Sequence, residues 1–242
     1  MILNQSWPTI SELSGRPIGR LWLTDFDRMT DDVDGEGSPF DLARKRSTTF
    51  GRYGMTVAES SPGRVVSDPK WMPKAPHEAP PTTGILALYN RGDRRRWYWR
   101  CDHCAQWFEP EFELLTWPEH VDIMTAGEAA ELACPHCGGM HAPDRKADLN
   151  AAGVWLKAGQ RFDENGEVVG TPIRSDIASF WLKGVAAAFA SWQTLVINYL
   201  KAEEEYERTG DEGALQTTVN TDQGLPYTPK GMDGDRLPET LK

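Results

Sequence analysis

All four cysteines of this chain fall into two Cys-x-x-Cys pairs, a pattern typical of metal binding. The pairs are separated by 29 residues and consist of Cys101, Cys104, Cys134 and Cys137. Two such turns can hold one tetrahedral Zn²⁺ through four thiolates, at Zn–S distances of about 2.3 Å, and leave no coordination position open for catalysis. His103 and His136 lie inside the pairs, where side chains usually point away from the metal. We therefore predict a structural zinc site in a zinc-ribbon-like module, with free or redox-active cysteines as the alternative.

A basic and aromatic stretch, "RGDRRRWYWR", leads directly into the first cysteine pair. It holds five arginines and one acid in residues 91–100. Its candidate phosphate contacts are Arg94, Arg95, Arg96 and Arg100. A solvated strand edge is the alternative interpretation, and the sequence favours neither. The aromatics at 97–99 could stack on bases, although beside a cysteine turn we expect them to pack.

The composition is that of a globular protein with substantial loops. Hydrophobic residues make up 39% of the 242 residues, and the chain contains 17 prolines. Its net charge of −10 argues against a simple non-specific nucleic-acid binder. No apolar run approaches the length of a membrane span, and the N-terminus does not have the pattern of a secretory signal. We expect a cytoplasmic protein, in which cysteines stay reduced and bind metal more readily than they form disulfides.

Alternating short strands and helices must position these residues, and they predict an α/β fold. The apolar runs at 20–25 and 54–59 predict buried strands. Between them, Ser38 and Pro39 favour the start of a helix over about 39–50. Four further elements are expected: a strand at 85–89, a helix starting at a Thr125–Glu128 capping box and leading to Cys134, a type I′ hairpin at Asn165–Gly166, and a long helix from Ser191 to Gly210.

Several segments, taken in order, resemble the GpA-type large terminase subunit of tailed phages. They are "LWLTDFD" with the acidic "DDVDGEG", the paired Cys-x-x-Cys module, "ASFWLKGVAAAFASW" and "LQTTVNTDQGLPY". The resemblance runs over nearly the whole chain. It implies an ATP-driven motor that moves DNA into the procapsid and cuts the concatemer. Such a chain has an N-terminal P-loop ATPase, a middle segment with cysteine pairs and an RNase H-like nuclease that uses carboxylate-bound metal ions.

By position, the resemblance makes the strand at 20–24 the Walker B region, with Asp25 and Asp27 as its candidate catalytic acids. It makes residues Ser60, Ser61 and Pro62 the motif that couples nucleotide state to DNA movement. The family has Asp-Glu at the strand end, whereas this chain reads Thr24-Asp25-Phe26-Asp27. Asp25 is therefore either a Mg²⁺ ligand without an adjacent acid or the occupant of the Glu position. The phosphate-binding pattern G-x-x-x-x-G-K-[ST] does not occur in these 242 residues.

These features predict a portion of a terminase large subunit in three parts. Residues 1–90 would be the C-terminal half of a P-loop NTPase-like core, residues 91–150 the zinc-ribbon-like module, and residues 151–242 a hairpin and helical connector towards an absent nuclease domain. Zn²⁺ is the expected structural cofactor, while Mg²⁺ and ATP are expected only in a complete family member.

The resemblance implies double-stranded DNA, the small terminase subunit and the portal or procapsid as partners, in the host cytoplasm. We expect the portion alone to lack ATPase and nuclease activity. The alternative is a stand-alone zinc-ribbon adaptor that binds nucleic acid or protein without catalysis.

Overall fold

The computed structural model describes residues 9, 11, 17–68 and 70–230. Its first unit is a parallel strand pair, β1 (Arg20–Leu23) and β2 (Met55–Ala58), connected through helix α1 (Pro39–Ser47). The two strands and the helix start are confirmed: Ser38 accepts a hydrogen bond from the Asp41 N–H at 3.2 Å, with Pro39 in the first turn. The helix ends at Ser47, before the expected residue 50, and 3₁₀ turns follow over Thr48–Tyr53.

The parallel pair is covered on one face only. Leu23 lies in a buried cluster with residues of α1, and Leu21 packs against the same cluster. On the opposite face, the side chains of Trp22 and Met55 are 70% and 52% exposed. Parallel sheets are normally covered on both faces, so this uncovered face is a candidate contact surface.

The expectation of a strand at 85–89 is wrong, because these residues form helix α2 (Gly84–Arg91). Leu88 packs into the cluster beneath β1, whereas Leu86 and Tyr89 pack with Trp181 on another side. A helix that is buried on two sides has no polar stripe, so its short apolar run has the same pattern as a buried strand.

Strand β3 (Arg95–Arg100) lies at the centre of the second unit. It pairs antiparallel with β4 (Trp107–Phe108) and β8 (Val154–Leu156), and parallel with β11 (Phe180–Trp181). A separate antiparallel sheet has the order β5 (Leu115–Thr116), β6 (Glu131–Ala133), β7 (Met140–His141). Short helices α3 (Ile123–Glu128) and α4 (Lys146–Ala151) flank these strands.

A hairpin of β9 (Gln160–Phe162) and β10 (Val168–Gly170) confirms the turn expected near Asn165. The type I′ assignment is wrong, because Gly166 has a positive φ of 81° and Asn165 does not. Instead Asp163 and Glu167 close a three-residue loop, with the Asp163 carboxylate accepting from two backbone N–H groups.

Helix α5 (Trp192–Thr209) confirms the long C-terminal helix. Ser191 caps its start, and Gly210 ends it with a left-handed φ of 73°. Helix α6 (Gly213–Thr217) and a π-helical turn (Thr218–Gln223) follow. None of the helices in the described part of the chain could cross a membrane.

The main core joins β3, the cysteine module (residues 101–141) and α5 around Trp99, which is fully buried. The indole N–H groups of Trp97 and Trp99 both donate to Asn150 Oδ1, at 3.2 and 3.0 Å. The amide nitrogen of Asn150 in turn donates to the Ala186 carbonyl at 2.9 Å. One amide side chain therefore satisfies three polar groups, from β3 and from the turn at Ala186, inside this core.

Replacing Asn150 with Ala should lower the free energy of unfolding by about 1–3 kcal/mol, because buried donors and a carbonyl lose their partner. Denaturant unfolding followed by tryptophan fluorescence measures this change. Asp148→Ala on the same helix is the control: it removes only an exposed ion pair with Arg145, so we expect a change below about 0.5 kcal/mol. Equal stability of Asn150→Ala and the parent protein would contradict this role of Asn150.

Candidate metal centre and the loops after the parallel strands

The four cysteines lie in two turns of the same design. Cys101 follows β3 and Cys104 precedes β4, while Cys134 follows β6 and Cys137 precedes β7. Cys134 is therefore delivered by a strand; the expectation that a helix leads to it is wrong. The start of α3 also differs, because the Asp122 side chain caps it, by accepting from the N–H groups of Met124 and Thr125.

The backbone hydrogen bonds of the two turns match one for one. In each turn the first cysteine donates its N–H to the carbonyl five residues later and accepts from the N–H four residues later, all at 2.9 Å. The residue at that fourth position is left-handed in both cases: Ala105 has a φ of 60° and Gly138 a φ of 68°. The repeated Cys-x-x-Cys spacing thus corresponds to a repeated backbone shape.

The four sulfur atoms form one compact cluster, with every Sγ within 4.8 Å of the others. The distances Cys101–Cys137 and Cys104–Cys134 are both 3.8 Å. That separation is too long for a disulfide and equals the edge, about 3.8 Å, of a tetrahedron with 2.3 Å metal–sulfur bonds. All four cysteines are free. The cluster can therefore hold a metal ion such as zinc.

Backbone N–H groups point at three of these sulfurs. The donors are His103 N to Cys101, His136 N to Cys134 and Gly139 N to Cys137, at 3.3–3.4 Å. Such contacts fix the direction of a thiolate ligand and offset its charge. Burial raises the pKa of the Cys101 thiol to about 12, so a bound cation is needed to keep this group ionised at neutral pH.

The two histidines inside the pairs connect the turns instead of joining the cluster. His103 Nε2 contacts the Met140 carbonyl at 2.9 Å, and His136 Nε2 contacts the Trp107 carbonyl at 3.0 Å. Each histidine thus reaches the strand that follows the other cysteine pair. These two contacts could not be predicted from the sequence, because they depend on the two turns facing each other.

The candidate catalytic acids lie in the loop after β1 and have different surroundings. Asp25 is exposed and left-handed, with a φ of 51°. Asp27 is 9% exposed, and its carboxylate accepts from the backbone N–H groups of Gly63 and Ile85. Burial raises the pKa of the Asp27 carboxyl, although these N–H groups act to lower it.

The predicted coupling motif lies beside this loop at the carboxyl ends of the strands. The Phe26 N–H donates to the Glu59 carbonyl at 3.0 Å, and the Asp27 N–H donates to Ser60 Oγ at 3.1 Å. Ser61 is exposed and Pro62 is buried. The structure thus brings Asp27 into contact with Ser60, which lies 33 residues later in the sequence.

The four candidate phosphate-binding arginines do not form one surface. Arg96 is buried, paired with Glu109 at 3.1 Å and with Tyr89 Oη at 3.0 Å. Arg95 pairs with Asp93 and lies over the ring of Phe180. Arg94 is half-buried, whereas Arg100 is exposed and donates to the Ala105 carbonyl. Alternation along β3 places Arg95 on one face and Arg96 and Arg100 on the other.

Two family models match this chain. One, described as phage terminase large subunit gpA, ATPase domain, matches residues 1–155. The other, described as terminase large subunit gpA, endonuclease domain, matches residues 177–239. Neither a curated protein nor a solved structure matches significantly. The parallel strands and the cysteine cluster lie within the first match and α5 within the second, so the chain belongs to the gpA family of phage terminase large subunits.

Proposed function

We propose that this chain supplies the coupling side of a terminase ATPase core together with the zinc-bound module that connects this core to the nuclease region. The observation that carries the proposal is the joint between the two loops after β1 and β2, where Asp27 contacts Ser60. In open α/β sheets, nucleotides bind at the carboxyl ends of parallel strands. The gpA ATPase match over residues 1–155 supports this placement.

Zinc is the metal that fits the cysteine cluster best. Four thiolates in tetrahedral arrangement are typical of structural zinc sites, and the residues 101–141 have only short strands to hold them together. The ion would supply binding energy that links the two turns. Its removal should therefore unfold this part of the protein.

Purified protein should contain about one Zn²⁺ per chain, and Cys101→Ser should lose most of that metal and much of its thermal stability. Elemental analysis and thermal unfolding with and without a chelator measure both effects. His136→Ala is the matched control, because this residue lies inside a cysteine pair but is not a ligand, so the zinc content should stay near one. Metal-free parent protein, with unchanged stability in Cys101→Ser, would contradict the zinc site.

The sequence offers an incomplete set of groups for phosphoryl transfer. Asp25 can hold Mg²⁺, but the 242 residues contain no G-x-x-x-x-G-K-[ST] loop to hold the β- and γ-phosphates. The exposed face with Trp22 and Met55 suits a further layer of structure that would cover this side of the sheet. We therefore propose that ATP hydrolysis requires a phosphate-binding loop in addition to these residues and that Mg²⁺ and ATP bind only to the completed core.

The purified 242-residue chain should not hydrolyse ATP, because positioning and charge stabilisation of the β- and γ-phosphates are both missing. A coupled phosphate-release assay with Mg²⁺ measures this activity. Steady ATP turnover that is abolished by Asp25→Ala would contradict the proposal. Asp211→Ala, in an exposed loop, is the control, because it removes a carboxylate elsewhere and should not affect any turnover.

Double-stranded DNA is the proposed substrate of the complete motor, which would work with the small subunit and the portal or procapsid in the host cytoplasm. Within this chain, Arg100 is the candidate arginine that is exposed. The net charge of −10 opposes binding, so affinity should lie no higher than the non-specific range of about 10⁻⁴–10⁻⁶ M.

Charge reversal in Arg100→Glu should weaken DNA binding at low salt and reduce the slope of log affinity against log salt by about one unit, because one phosphate contact is lost. Fluorescence anisotropy with a labelled duplex measures this slope. Arg208→Glu, at an exposed position of α5, makes the same change of charge elsewhere and should leave the slope unchanged. Binding that is independent of salt would contradict phosphate contacts by this arginine.

A stand-alone zinc-ribbon adaptor remains the second candidate function. The cysteine cluster is equally compatible with this function and with a terminase motor component. The parallel strands and the ATPase match favour the motor component. The two differ in one respect: metal-dependent ATP turnover should appear only for a motor component, after addition of a polypeptide that carries the phosphate-binding loop.

A further inference from the structure

The Asp27 side chain joins two segments that are far away in sequence. Oδ2 accepts from the Gly63 N–H at 2.8 Å, and Oδ1 accepts from the Ile85 N–H at 2.5 Å. The N–H of the same residue donates to Ser60. Because each carboxylate oxygen serves a different segment, this side chain fixes the distance between the loop 60–63 and the start of α2.

Asp27 also caps the start of α2, which the residue at the cap position does not do. Thr83, at the cap position, makes no side-chain cap hydrogen bond. A carboxylate at this helix end satisfies a free N–H and interacts favourably with the helix dipole. Gly84 makes room for it: its φ is +71°, and a Cβ there would lie 2.1 Å from Asp27 Oδ1.

The far end of α2 is fixed as well. The Ser179 hydroxyl donates to the Tyr89 carbonyl and accepts from the Arg94 N–H, both at 2.9 Å. Strand β3 begins at the next residue, Arg95, and ends at Arg100, immediately before Cys101. Helix α2 therefore connects the loop after β2, at its first end, to the segment that leads into β3 and the first cysteine, at its last end.

This arrangement leaves Asp27 poorly suited to hold a metal or a nucleotide. Both of its oxygens accept backbone hydrogen bonds, and the side chain is nearly buried. The charged group next to it is Arg64, which also pairs with Asp31 at 3.3 Å. Asp25, by contrast, is exposed at the end of β1.

We propose that Asp27 is a positioning residue that ties the loop 60–63 to α2, and through α2 to the cysteine module, and is not a ligand of Mg²⁺ or ATP. That the loop 60–63 couples ATP hydrolysis to DNA movement rests on the proposed function. The link between this loop and α2 is independent of that function, because it depends only on the contacts of Asp27.

Hydrogen exchange of the zinc-loaded 242-residue chain, resolved at single amides by NMR, tests the link. In Asp27→Ala the amides of Gly63 and Ile85 should both exchange about tenfold faster or more, because both lose their acceptor. In Asp27→Asn only one of the two should speed up, because an amide side chain has a single acceptor oxygen. Asp25→Asn is the matched control and should leave both amides unchanged.

Two further measurements remain if Asp27→Ala does not fold. In the parent protein, the Gly63 and Ile85 amides should have similar protection, since one carboxylate holds both. In Gly84→Ala, the new methyl group should displace the carboxylate and speed exchange at Gly63, 21 residues before it in sequence.

Unchanged exchange at Gly63 and Ile85 in Asp27→Ala would overturn the proposal, as would equal acceleration throughout the chain. An unprotected Gly63 amide in the parent protein would also overturn it. Zinc content, measured on the same samples, should stay constant in the variants, so failure of the zinc site and failure of this link are separate results.

Discussion

The structure depends on four thiols meeting between two facing turns. The strands next to these turns are short, with two residues in β4 and β7 and three in β6. Strands of this length provide little stability by themselves, so the contact between the turns and the packing of Phe108, Leu115 and Leu132 in the main core must supply it. The histidine bonds across the cluster and the burial of Cys101 and Cys134 hold the same two turns together, which makes a metal ion the natural centre of this module.

The cysteine module is continuous with the segments on either side of it. Strand β3 pairs with β8 and β11, which come from beyond residue 150, and ends one residue before the first cysteine. The indole groups of Trp97 and Trp99 share Asn150, and α5 packs Trp192 into the same core. The loops after the parallel strands are therefore joined to the nuclease-matched region by direct contacts through α2 and β3.

The sequence predicted those features whose signals are local. The spacing of the cysteines, the capping residues of α1 and α5 and the apolar runs of β1 and β2 each depend on a few neighbouring residues. Features that depend on contacts between distant residues could not be predicted in this way. Leu86 and Leu88 form a helix because both of its sides are buried, Arg96 lies inside because Glu109 offers a partner, and Asp27 caps a helix 57 residues later.

The most direct test of the metal-centred module is X-ray absorption at the zinc edge of the purified chain. We expect four sulfur ligands at about 2.3 Å and no nitrogen in the first shell, since the histidines contact backbone carbonyls. A mixed sulfur and imidazole shell, or a sulfur count well below four, would contradict a site made of Cys101, Cys104, Cys134 and Cys137.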